Sequence, residues 1–63
     1  MLELYCRVRL VTDRYSQEGA PMGSIGYVIE RHSDDAYEVE VSDEQGTTIA
    51  QFVAQSSDLE PAE

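Results

Sequence analysis

Gly23-Ser-Ile-Gly26-Tyr-Val-Ile-Glu-Arg-His-Ser-Asp-Asp-Ala-Tyr-Glu-Val-Glu-Val41 decides the fold of this chain. It reads as a two-glycine turn, a strand, a polar turn and a second strand that alternates cleanly. In that second strand, Ala36 to Ser42, period-2 patterning sends Tyr37, Val39 and Val41 to a core and Glu38, Glu40 and Ser42 to water. The first strand carries apolar residues on both faces, so alternation leaves open which of Val28 and Ile29 points inward. Glycines ahead of a strand supply positive φ or allow two backbones to approach closely at a bend. Asp34 and Asp35 suit the connecting turn, because short polar side chains bond the local backbone.

Further strands flank this hairpin. Tyr5 to Val11 places Cys6, Val8 and Leu10 on one face and Arg7 and Arg9 on the other, where they pair with acids of a neighbouring strand. Thr12 to Ser24 is a long loop by composition, with Tyr15 and Met22 as its candidate anchors on the core rim. Asp43-Glu44-Gln45-Gly46 is a tight turn with Gly46 in the left-handed position. Thr47 to Ala54 is a fourth strand, with Ala50, Phe52 and Ala54 inward and Ile49 and Val53 on the opposite face. Ser56 to Leu59 reads as one 3-10 turn, Leu59-Glu60-Pro61 as a short closing strand and Ala62-Glu63 as a frayed end.

The whole predicts a single all-β domain over residues 1–63, ordered over about 4–61. Its economical form is a small five-stranded SH3-like barrel with one 3-10 turn before the last strand, since closure limits open edges. A chain of 63 residues buries only about 60% of its unfolded surface, so its stability is marginal. One cysteine provides no disulfide within the chain, and with a single histidine it does not build a zinc site. No apolar run approaches the roughly 20 residues of a membrane span, and the N-terminus lacks a signal-peptide pattern. The cytoplasm is the expected location.

Charge is the strongest compositional signal. The net charge is −9; residues 1–31 hold all four arginines against four acids, whereas residues 32–63 hold nine acids and neither lysine nor arginine. Such a surface disfavours nucleic acid and anionic membranes and attracts a basic protein. The same surplus of acid also serves plain solubility. Asp34, Asp35, Glu38, Glu40, Asp43 and Glu44 form the candidate partner-binding face. No catalytic constellation, metal ligand set or cofactor motif stands out. The glycines lack P-loop spacing, and Asp43 to Gly46 lacks the terminal bidentate glutamate of a calcium loop. The best candidates for an enzyme are His32 with Asp34 or Asp35, and no nucleophile pairs with them.

A resemblance follows from five segments: Val8-Arg9-Leu10-Val11, Gly23-x-x-Gly26-Tyr-Val-Ile-Glu30, Ala36-Tyr-Glu-Val-Glu-Val41, Asp43-x-x-Gly46 and Asp58-Leu-Glu-Pro61. Together they resemble a small uncharacterised bacterial family of stand-alone SH3-like barrels, from about residue 6 to Pro61. The closing Asp-Leu-Glu-Pro is the most distinctive element. Tyr27 and Ile29 depart from the Gly-Thr-Val-Val usual in the second strand. More distantly the chain is similar to KOW-type barrels and to the barrel domain of nitrile hydratase β subunits.

Members of the small family are often encoded beside toxin-like genes. The resemblance therefore implies a non-catalytic antitoxin or immunity protein that covers the cationic surface of a basic, nuclease-like toxin. The alternatives it implies are a KOW-like module of the RNA or translation machinery and an accessory barrel of an enzyme subunit. A strand edge left open would also accept a second copy as a homodimer.

Overall fold

The computed structural model describes residues 2–62. Five strands are present: β1 (Arg7–Leu10), β2 (Ile25–Arg31), β3 (Ala36–Ser42), β4 (Thr48–Gln55) and β5 (Leu59–Pro61). They make one antiparallel sheet in the order β4-β3-β2-β1-β5. Two 3-10 turns, Ser16–Glu18 and Ser56–Asp58, complete the regular structure of the described residues, the second directly before β5 as expected. No helix among them is long and apolar enough to cross a membrane.

A single sheet without a second layer produces buried positions only if it curls on itself. Here Val8, Val28, Tyr37, Val39 and Ala54 are all essentially inaccessible. The pleat supplies the inner rows: Val8, Gly26, Val41 and Ala50 stand side by side across four strands, and Val28, Val39 and Phe52 across three. The alternation read in β1, β3 and β4 is observed, including the outward placement of Ile49 and Val53. Val28 is the inward residue of β2, and a register shift between Val28 and Glu30 leaves Ile29 half-buried.

The two glycines of the opening motif do different jobs. Gly23 takes φ +92° in the turn. Gly26 lies one residue inside β2 and is buried, so the expected two-glycine turn ends earlier than Gly26. A Cβ built on Gly26 would sit 2.6 Å from the Glu40 carbonyl oxygen and 3.0–3.1 Å from methyls of Val39 and Val41. Close approach of β2 to β3, rather than positive φ, requires glycine there.

The N-terminal strand is shorter than its alternation suggests, because exposed Tyr5 adopts φ +65° and ends the extended run before Arg7. Its N–H still donates to the Val28 carbonyl. In the long loop, Tyr15 is buried as expected, but Met22 is exposed and anchors nothing. Ala62, expected to fray, is instead tied down by its N–H to the Arg7 carbonyl at 2.9 Å. Glu63 lies outside the described residues.

Candidate functional site

The outer surface of β3 and its two flanking turns carries the six predicted carboxylates. They form a stripe rather than a cluster. Asp34 and Asp35 occupy the β2–β3 turn, Asp43 and Glu44 the β3–β4 turn, and the seven-residue strand between them spans about 20 Å. Glu38 and Glu40 lie along its middle, half-buried by neighbours on both sides.

Half of the stripe is already engaged within the chain. Arg31 Nη2 lies 3.5 Å from Asp34 Oδ1. Asp43 Oδ1 accepts hydrogen bonds from the backbone N–H groups of Gln45 (2.9 Å) and Thr47 (3.0 Å), which fixes the turn that places Gly46 at φ +85°. Glu38 accepts from Gln51 Nε2 at 3.0 Å and lies 2.8 Å from His32 Nε2. The His32 bond, followed by the Gln51 bond, holds the Glu38 carboxyl below the usual glutamate range. Among the described residues, the carboxylates of Asp35, Glu40 and Glu44 enter no ion pair or side-chain hydrogen bond.

His32 therefore belongs to this stripe, between Glu38 and, at 3.9 Å, Glu30. Asp34 is engaged with Arg31 instead, so the His32–Asp34 and His32–Asp35 pairings considered for catalysis are not among the contacts formed. Among the described residues no group of three or more His, Cys, Asp or Glu is arranged to hold a metal ion.

The register adds residues that the sequence reading left out. Tyr27 on β2 stands beside Glu40, Gln51 on β4 stands on its other side, and Val53 stands beside Glu38. Tyr27, Ile49 and Val53 are each close to half exposed. The outer face is thus a mixture of carboxylates and apolar side chains. Period-2 alternation marks Ile49 and Val53 as outward, but strand pairing alone reveals that Val53 borders Glu38.

Asp58, from the distinctive closing motif, does something else. It is the one buried charged side chain among the described residues, 3% exposed. Its Oδ2 accepts from the Tyr15 hydroxyl at 2.7 Å and from the Gln55 N–H at 3.3 Å, and Arg14 Nη2 approaches Oδ1 at 3.6 Å. The Tyr15 ring stacks on Phe52 with centroids 4.4 Å apart. Burial, reinforced by the Asp58 carboxylate, raises the Tyr15 hydroxyl above the ordinary tyrosine range. This constellation pins the long loop to the core and caps the second 3-10 turn. It is structural.

Fold and face together define a small all-β protein with an acidic outer surface and a core closed by a loop. The chain belongs to the DUF4926 family, described as a domain of unknown function, whose model matches residues 4–61. No curated protein and no solved structure matches it.

Proposed function

We propose that the protein is a non-catalytic binding protein of SH3-like barrel form that covers the cationic surface of a basic partner. The partner class that fits is a nuclease-like toxin, with this chain as its antitoxin or immunity protein. One observation carries the reading: Asp35, Glu40 and Glu44, in β3 and its flanking turns, present uncommitted carboxylates on the same outer surface as the exposed apolar side chains Tyr27, Ile49 and Val53. Charge complementarity speeds encounter, and apolar contacts desolvated at the centre of an interface hold the complex. A carboxylate stripe of this kind would occupy the groove in which a nuclease holds phosphates and so exclude nucleic acid.

The test is capture of partners by the tagged protein from its native lysate at low and then high salt. One stoichiometric basic protein, released as salt rises, is the expected result. Recovery of RNA with ribosomal or transcription proteins would replace this reading with the KOW-like one.

A further inference from the structure

The two edges of the sheet are built differently. At one edge β5 is three residues long and contains Pro61, which has no N–H to offer, while Glu60 pairs with Arg9 at 3.1 Å. These are the usual means of blunting an edge. At the other edge β4 runs for eight residues, from Thr48 to Gln55, without a proline or a charged residue.

The hydrogen-bond alternation identifies the open part of β4. The Ala36 carbonyl accepts from the His32 N–H, so Ala36, Glu38 and Glu40 direct their backbone groups at β2. Tyr37, Val39 and Val41 then direct theirs at β4 and bind Ala54, Phe52 and Ala50. Gln51 and Val53 accordingly turn their N–H and C=O groups away from β3, and no other described segment bonds to them. The window is bounded at both ends. Gly19 backs onto the Ile49 carbonyl, and the Gln55 N–H is taken by Asp58.

We infer that the β4 edge at Gln51–Val53 accepts an extended basic segment of the partner as a sixth strand. This rests on the proposed acidic-face reading and gives it a docking mode. The partner strand would form backbone hydrogen bonds with Gln51 and Val53, while its outer-face side chains follow the row pattern of β4 and β3. The residue opposite Val53 is apolar. The residue opposite Gln51 is arginine or lysine, because Glu40 lies in the next strand of that row, about 10 Å away, within reach of a long basic side chain. Net charge −9 selects such a segment over a second copy of this chain, whose own acids would be brought together.

The experiment is an NMR titration of the isotope-labelled protein with a capped peptide of about eight residues that repeats arginine-threonine-valine-threonine, so that arginine and valine share one face. The control is a peptide of the same composition with its arginines on one face and its valines on the other. Slowed exchange of the Gln51 and Val53 amides, salt-sensitive binding, and a preference for the peptide with arginine and valine on one face would support the edge. Backbone N-methylation of that peptide should weaken binding roughly tenfold or more. Gln51→Pro should do the same without disturbing the β3 ladder, since the lost N–H points outward.

Equal binding of both peptides, with changes confined to the β3 carboxylates, would overturn the edge and leave the acidic face standing. Binding by neither peptide at low salt would overturn both. Self-association through β4 once high salt screens the charge would make the occupant a second copy and also overturn the proposal.

Discussion

Asp58 and Glu40 are both carboxylates of the acidic half of the chain, and they sit in opposite settings. Asp58 is enclosed by Tyr15, Arg14 and the Gln55 backbone, with its oxygens committed to closing the fold. Glu40 lies on the outer face of β3 between Tyr27 and Gln51 with its charge turned to solvent. The first is a joint between the long loop, the second 3-10 turn and the core. The second belongs to a surface available to something outside the chain. Neither formal charge nor membership of a recognisable motif separates the two; burial and the number of donors aimed at each oxygen do.

Substitutions at the joint should have the largest effects. Asp58→Ala leaves the Tyr15 hydroxyl and a helix-cap N–H without partners, and should cost about 3 kcal/mol. Total stability for a chain this small is on the order of 3–9 kcal/mol, so urea denaturation should place the variant near its unfolding threshold. Asp58→Asn keeps an acceptor and should cost less. If Asp58→Ala unfolds at the same urea concentration as the parent, the joint is not what holds the loop. Gly26→Ala should fall in the same range, about 1–3 kcal/mol, because its methyl has to displace the β3 backbone at Glu40.

Changes on the outer face should separate binding from stability. Replacing Asp35, Glu40 and Glu44 together by lysine should leave the unfolding free energy within about 1 kcal/mol of the parent. It should slow association with a basic partner by tenfold or more and remove its salt dependence. Stopped-flow association at two salt concentrations reads both effects. Unaltered binding would move the interface elsewhere.

The pH dependence of the two regions should differ in sign. The Tyr15 hydroxyl is raised in the fold, so its contribution is complete below the ordinary tyrosine pKa and is lost as pH rises through the folded value. Stability measured above about pH 10 should therefore fall, and Tyr15→Phe should remove that alkaline loss. The Glu38 carboxyl is lowered, so its contribution is present above the ordinary glutamate range and is lost as pH falls through the lowered value. That effect is the smallest, because the pair is on the surface. His32→Ala should return the Glu38 carboxyl toward the usual range in an NMR titration; an unmoved Glu38 would deny the bond its role.

Much of this fold is legible in the sequence. Strict alternation in Ala36–Ser42 identified Tyr37, Val39 and Val41 as core, because a pleated strand turns successive side chains to opposite faces. Turn chemistry located Asp43–Gly46 for the same kind of local reason. Val28 against Ile29 was not legible, since both are apolar and the register shift that chooses between them arises from pairing with β3. Met22 looked as able an anchor as Tyr15; only Tyr15 has a ring to lay on Phe52 and a hydroxyl to give Asp58. The candidate face was legible as charge but not as geometry. One strand and two turns read as a patch in sequence, yet about 20 Å of extended chain separates its ends.

What the sequence by itself determined is local: where the chain alternates, where it turns, and how its charge is divided between halves. Each follows from the covalent period of the backbone or from side-chain type. What only the tertiary structure decided is which distant groups meet. It placed Tyr15 against Asp58, set Val53 beside Glu38, and left the backbone of Gln51 and Val53 facing outward. Those outcomes depend on strand register and on the curl of the sheet, which are fixed by close packing of the whole core rather than by any one segment.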